Sequence, residues 1–343
     1  MTSTTEEAVM RETVKDQPAE VIPPEPTVTA SATAVEPETE LASALVQERE
    51  AEAEKTAKSA SKTGKKNTPA KEGGKGVNGT VVVVTSGKGG VGKTTTTANI
   101  GTGLARMGYK VALVDTDIGL RNLDLLMGLE NRIVYNIVDV VEERCKLQQA
   151  LVKDKRLPNL ALLPAAQTRD KSALNPEQME EVCEQLKRDF DFVLVDSPAG
   201  IEQGFLNAIA GASQAIVVCT PEMSAVRDAD RIIGLLEAKE DITNYKLVLN
   251  RVRPAMIKTN DMMDVDDVLE ILSIKLLGVI PEDKDIIIST NKGEPVVAME
   301  QSLAGQAYRN IARRVAGEDV PFLNLDAPTS WLDKVKNFFT KSA

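Results

Sequence analysis

The chain is expected to form an α/β fold, a mostly parallel, twisted sheet with helices on both faces. Three observations predict it. Nearly continuous apolar runs recur at Thr80–Val84, Val111–Val114, Leu160–Leu163, Phe192–Val195, Ala215–Cys219, Lys246–Leu249 and Leu276–Val279. Amphipathic stretches, among them Thr94–Met107, Pro176–Asp189 and Ala225–Ala238, lie between several of them. Runs that are apolar throughout, rather than at alternate positions, suit strands buried on both faces, the condition of a parallel sheet. Ligands of such folds sit at the carboxyl ends of the strands.

In chain order, residues 1–76 come first and contain no Phe, Trp or Tyr. Residues 1–54 carry 13 acids against 3 bases, and residues 55–76 carry 7 bases against 1 acid. Such a segment buries too little apolar area to offset its ordering entropy, so a disordered, charged extension is expected. It lacks the apolar core of a secretory signal and starts too acidic for a typical transit peptide. The block Lys55–Lys75 reads as a solvated linker, with contact to anionic lipid or a partner as the competing reading. Residues 77–320 form the expected globular domain, and residues 321–343 a linker and terminal helix.

Straight after the first apolar run, residues 87–94 read Gly87-Lys88-Gly89-Gly90-Val91-Gly92-Lys93-Thr94. This fits the phosphate-binding spacing G-x-x-x-x-G-K-[ST] between a buried strand and a helix. The glycines let backbone N–H groups turn toward an anion, and the following helix adds its positive end. Lys93 is placed to reach the β- and γ-phosphates and Thr94 to bind Mg²⁺, with Thr95 beside it. The ligand class is therefore a nucleoside triphosphate with Mg²⁺. Lys88 is a second cation, either solvated or serving another phosphate charge.

Two later strands end in acids on the same rim. Val111–Val114 runs into Asp115-Thr116-Asp117, and Phe192–Val195 into Asp196-Ser197-Pro198-Ala199-Gly200. An acid after an apolar strand is the second Mg²⁺ handle expected of such a site. Asp196 is assigned that role. Asp117 is assigned to the attacking water, and Asp115 to Mg²⁺ or the loop, although these two can be exchanged. The competing reading makes all three turn or cap acids. Asn250, after Lys246–Leu249, offers a donor and an acceptor to an adenine edge or serves a turn. Pro281-Glu282-Asp283 follows the last run and is a second loop for the base.

Composition excludes several chemistries. The chain has no histidine, which removes Ser-His and Cys-His nucleophiles and His-ligated metals. Cys145, Cys183 and Cys219 stand 38 and 36 residues apart, a spacing that offers no zinc pair or CxxC motif, so buried or half-buried free thiols are expected. A net charge of −10 argues against broad nucleic-acid binding, and no specific nucleic acid is expected. No apolar stretch approaches the ~18 residues of a membrane span.

From Trp331 onward the chain holds three of its eleven aromatics. At ~100° per residue, Trp331, Leu332, Val335, Phe338 and Phe339 fall within an arc of roughly 120°, with Lys334, Lys336 and Lys341 outside it. Ser330 can cap the helix and Asp333 suits its first turn. Bulky apolar residues flanked by lysines are the composition of a helix lying in an anionic membrane surface; a helix docked on its own domain is the alternative. Each large side chain buried contributes up to ~1.5–3 kcal/mol and each lysine ~1 kcal/mol. Ordering a helix this short offsets much of that, so one copy binds weakly, whereas two tethered copies gain ~10²–10⁴ in avidity.

The loop with Lys88 resembles the deviant Walker A ATPases. The stretches Asp117-Ile118-Gly119-Leu120-Arg121-Asn122-Leu123-Asp124, Asp196–Gly200 and Gly278-Val279-Ile280-Pro281-Glu282-Asp283 are similar to those of the MinD family of septum-site-determining ATPases, from about Val81 to Phe322. The long N-terminal extension departs from typical bacterial members. The resemblance implies a homodimer that sandwiches two ATPs, with Lys88 reaching the partner's phosphates. It implies membrane attachment, a MinC-like division inhibitor, a MinE-like activator of hydrolysis, and indirectly the placement of the FtsZ ring. Glu222, Arg227, Asp228 and Asp230 match a stretch near the family's dimer and partner surface. Asn250, Arg251 and the Pro281–Glu282 loop would surround adenine. Asn250-Arg251-Val252-Arg253 looks more like cyanobacterial and plastid members. The implied location is peripheral: chloroplast stroma and inner envelope, or the cytoplasmic face of a bacterial inner membrane.

Three rivals share the loop. A ParA-type DNA-partitioning ATPase would need a basic surface, and the Trp331–Phe339 face speaks against it. An iron–sulfur carrier would need closely placed cysteines. A scaffold that binds ATP without cleaving it is disfavoured by intact Lys93, Thr94, Asp117 and Asp196.

Overall fold

A computed structural model describes residues 79–169 and 173–325. The extension 1–76 and the segment Trp331–Phe339, with the expectations placed on them, lie outside the described residues.

The strands are β1 (Thr80–Thr85), β2 (Val111–Asp115), β3 (Val152–Lys153), β4 (Leu160–Leu163), β5 (Phe192–Asp196), β6 (Gln214–Cys219), β7 (Asn244–Val252) and β8 (Leu276–Pro281). The helices are α1 (Lys93–Arg106), α2 (Leu123–Met127), α3 (Ile137–Val141), α4 (Leu147–Ala150), α5 (Pro176–Lys187), α6 (Gln203–Ile209), α7 (Met223–Glu237), α8 (Pro254–Lys258), α9 (Val265–Leu272), α10 (Lys284–Thr290) and α11 (Leu303–Val315). All seven expected strands form. The unexpected one is β3, two residues long and antiparallel to β4 at the sheet edge, too short to leave a periodic signal.

The sheet order is β3-β4-β2-β5-β1-β6-β7-β8, and every pairing except β3–β4 is parallel. From β1 the chain first crosses to β2 on one side, and from β5 it crosses over β1 to β6 on the other. The reversal falls at β1, so the crevice for a ligand opens at its carboxyl end.

Alternate side chains of β1 feed two cores. Val81 and Val83 face one cluster with α5, α6, α7 and α9; Val82 and Val84 face the other with α1 and α11. Burying each such valine stabilises the fold by roughly 1.5–3 kcal/mol. α5 starts from an Asn175 capping box with Pro176 in its first turn. Cys183 and Cys219 are buried in the first cluster and Cys145 packs against it; all three thiols are free. Burial pushes the Cys183 and Cys219 thiols up to about 12. Among the described residues no helix is long and apolar enough to cross a membrane.

Candidate nucleotide-binding site

The phosphate loop leaves β1 at Thr85 and enters α1 through Gly92, whose φ of 99° is left-handed. A Cβ at Gly92 would also stand 2.4 Å from Asn250 Nδ2. Gly87 is needed for a different reason: a Cβ there would lie 2.2 Å from the Asp228 carbonyl oxygen of α7. The loop is thus wedged between the ends of β7 and α7.

Lys93, only 8% exposed, points its ammonium at the Ser86 hydroxyl, 3.0 Å away. That hydroxyl in turn donates to the Lys88 carbonyl at 2.7 Å. Burial lowers the Lys93 pKa, while Asp196 and Asp117 raise it again. A desolvated lysine with an open cleft before it is suited to a phosphate group. The cleft encloses about 570 Å³ and is lined by Gly89, Gly90, Lys93, Thr94, Thr95, Asp117, Ser197–Ala199 and Arg251, with Leu125, Leu126 and Thr290 among its walls.

Asp115 and Asp196 end neighbouring strands in the same register. Burial pushes Asp196 up to about 7, against the opposing pull of the Thr94 hydroxyl, Lys93 and the Thr97 hydroxyl, the last 3.1 Å from its Oδ1. Burial and then the Asp196 charge push Asp115 well above the carboxylate range. Asp115 accepts from the Asp117 N–H at 2.9 Å and the Leu123 N–H at 3.3 Å. Its oxygens therefore hold the loop that carries Asp117. Asp117 is half-buried and lines the cleft beside Lys93 and Thr94.

Other assignments change in character. Asn250 donates to the Val91 carbonyl at 2.8 Å and accepts from the Arg251 N–H at 2.9 Å. It is 3% exposed, and its amide braces the loop. Pro281 is buried at the end of β8, and Glu282 lines a cavity. Glu282 forms a two-pronged pair with Arg253, whose Nη2 lies 2.8 Å from Oε1. That cavity, about 650 Å³, is lined by Arg251, Met223, Met256 and Met262 among others, and Arg251 also lines the phosphate cleft. The Arg251 φ of 57° is left-handed for a non-glycine residue.

Lys88 lies against the start of α7, its ammonium 3.2 Å from Ser224 Oγ and 3.7 Å from Glu222 Oε2. Arg227 and Asp230 are exposed on the same helix and Asp228 is half-buried against Gly87. The cleft is braced from behind by Arg156. Its Nη2 donates to the Met127 carbonyl at 3.1 Å and to the Gly293 carbonyl at 3.2 Å, joining the ends of α2 and α10.

Sequence reasoning missed Ser86, Thr97 and Thr116. Thr97 was legible: it follows Thr94 by three helical positions, so both hydroxyls reach Asp196. Thr116 donates to the Asp196 carbonyl at 2.6 Å, a contact between strand ends that no local pattern reveals.

A glycine loop at a helix start, a buried lysine, a threonine and a strand-end acid around one cleft define a nucleotide-binding P-loop protein. The CobQ/CobB/MinD/ParA nucleotide binding domain (CbiA) matches residues 82–296. The chain is 62% identical to the septum site-determining protein MinD of Synechocystis over 248 residues, 72% of this chain and 93% of that one. It belongs to the MinD family of septum site-determining ATPases. Among solved structures, the MinC:MinD cell division complex of Aquifex aeolicus aligns at TM-score 0.67 and 49% identity, over 71% of this chain and 99% of that one. MinD complexed with Mg-ADP from Pyrococcus horikoshii aligns at TM-score 0.63 and 32% identity, over 69% and 95%. A ParA family ATPase from Chlorobium tepidum, at 22% identity and TM-score 0.59, shares the fold alone.

Proposed function

We propose that this chain binds ATP with Mg²⁺, dimerises around two nucleotides, attaches to an anionic membrane as a dimer and is released by hydrolysis. The observation that carries the reading is the buried Lys93–Ser86 contact under an open cleft whose rim holds Thr94, Asp117 and Asp196.

Mg²⁺ fits this donor set. The Thr94 hydroxyl and Asp196 carboxylate are hard oxygen donors, and the hydroxyl pulls the carboxylate pKa down against burial. Among the described residues no three or more Asp, Glu, Cys or His converge on one point, so phosphate oxygens and water would complete the coordination. When bound, the ion neutralises charge on the phosphates. The chain's own residues do the rest. Lys93 and the loop N–H groups hold the β- and γ-phosphates. Asp117 orients a water in line with the γ-phosphorus; its oxygen bonds to phosphorus as the bond to the β,γ-bridging oxygen breaks, giving ADP and phosphate. Lys88 of the second copy adds positive charge where it develops in the transition state. Arg251 and the cavity beyond it, with Glu282 at its rim, receive the base, and Asn250 holds the loop for it.

Glu222, Arg227, Asp228 and Asp230 contribute to the dimer and partner face. The likeness to the MinC:MinD complex of Aquifex aeolicus supports a MinC-like partner. A MinE-like activator would discharge the dimer, and the outcome would be placement of the FtsZ ring. Trp331, Leu332, Val335, Phe338 and Phe339 enter the lipid, with Lys334 and Lys336 at the headgroups.

Co-sedimentation with anionic vesicles tests the reading, using the full chain in ATP, in ADP, and in ATP with the chain ended at Pro328. ATP-dependent pelleting lost on truncation is the expected result. Pelleting indifferent to nucleotide removes the switch. No pelleting, together with salt-sensitive DNA retardation, moves the chain to the ParA-type reading.

A further inference from the structure

A further concavity, of about 590 Å³, shares no lining residue with the nucleotide cleft and lies between α8, α9 and the edge strand β8. Ile257, Leu269 and Val279 form its floor and pack directly onto the sheet core. Phe322, 53% exposed, and Leu325 form its wall. We propose that this groove is the docking site of the chain's own segment Trp331–Phe339 whenever that segment is off the membrane. The proposal rests on the amphipathic reading of the segment, not on membrane binding itself.

The exit path of the chain points there. Arg314 donates to the Leu277 carbonyl of β8 and to the Val320 and Pro321 carbonyls, each at 2.9 Å. Its guanidinium also stacks 4.3 Å over the Phe322 ring. One buttressed side chain thus pins the descending chain to β8 and delivers Leu325, the last described residue, into the groove.

The remaining length suits the task. Five residues, 326–330, separate Leu325 from Trp331. That tether reaches at most ~20 Å and holds the segment at an effective concentration of ~mM. A second copy or a free partner at ordinary concentrations competes poorly with such a tether.

Charge agrees as well. Asp264 and Asp266 lie at the groove beside one cation, Lys258, so carboxylates outnumber it there. The segment brings Lys334 and Lys336 on either side of its apolar arc. Docking covers the same apolar face that lipid would cover, so groove and membrane exclude each other. Release from the groove would then be a step on the way to the membrane.

Trp331 is the chain's single tryptophan and reports on itself. The experiment is acrylamide quenching of its emission in the full chain without lipid, against the peptide 326–343. Docking predicts blue-shifted emission and quenching about ten-fold slower, as for a segment nine-tenths docked. Leu269→Ala in the floor, and Asp266→Lys at the exposed rim, should each return quenching toward the peptide value with circular dichroism unchanged. Both should raise apparent affinity for vesicles of mixed phosphatidylcholine and phosphatidylglycerol, up to about ten-fold. Quenching equal to the free peptide overturns the proposal. So does protection that both variants leave intact, or protection that is lost on dilution, which would assign the groove to a second copy. Groove-dependent protection without vesicle binding would keep the docking and remove the membrane reading.

Discussion

Asn250 donates its side-chain amide to the Val91 carbonyl at 2.8 Å and so fastens the phosphate loop to the end of β7. Removing it in Asn250→Ala leaves a buried carbonyl unpaired, a loss of about 1–3 kcal/mol. The melting temperature should fall, and nucleotide affinity by titration calorimetry should weaken about ten-fold, a 1.4 kcal/mol share of that loss. An unchanged melting temperature would show that the brace is dispensable.

Lys88 contacts Ser224 and Glu222 within its own chain. The pair is exposed, so Glu222→Gln should cost no more than about 1 kcal/mol of stability while freeing Lys88, and the dimer fraction in ATP should rise by analytical ultracentrifugation. Lys88→Ala should bind nucleotide nearly as the parent does, yet turn over about 10²–10³ more slowly, the size of one lost transition-state donor. A large loss of single-chain affinity would place Lys88 on its own nucleotide.

Ser86 holds the Lys93 ammonium in place at the cleft. Ser86→Ala leaves that charge buried without this partner, a loss of about 1.5–3 kcal/mol for a bond to a charged group. ATP affinity should weaken while the fold persists, whereas Lys93→Ala should abolish hydrolysis. Equal affinity for the Ser86→Ala protein and the parent would make the hydroxyl incidental.

Asp283 provides the pH test. Burial alone would raise its pKa, but the N–H groups of Asp285 and Ala304 and the Ser302 hydroxyl outweigh burial and hold it below its ordinary value. A carboxylate depressed on folding contributes its stability in full above its ordinary value and loses it as pH falls through the native value. Asp283→Asn should therefore be less stable than the parent at neutral pH, and the gap should narrow in acid. Urea melts across that range decide it; a gap that widens toward low pH contradicts the assignment.

The sheet was readable because its strands are apolar at nearly every position, and the glycine spacing put the phosphate site at the end of β1. The strand-end acids were readable as a group, but their division of labour was not. Asp115 and Asp196 became register neighbours only when β5 inserted between β1 and β2, a pairing of residues far apart in sequence. For Asn250 the choice between loop and adenine stayed open, because a residue type shows what an amide can bond to, not what stands beside it. Pro281 looked like loop because the apolar run before it ended early, yet β8 carries it into the sheet.

Arg156 joins the Met127 and Gly293 carbonyls, and with them two walls of the cleft, without being among the residues that line it. The spacing of those two walls is thereby tied to a residue outside the cleft. Arg156→Ala should change the rate of nucleotide exchange more than the rate of single-turnover cleavage, and a chase with a fluorescent nucleotide beside rapid-quench hydrolysis would read the two apart.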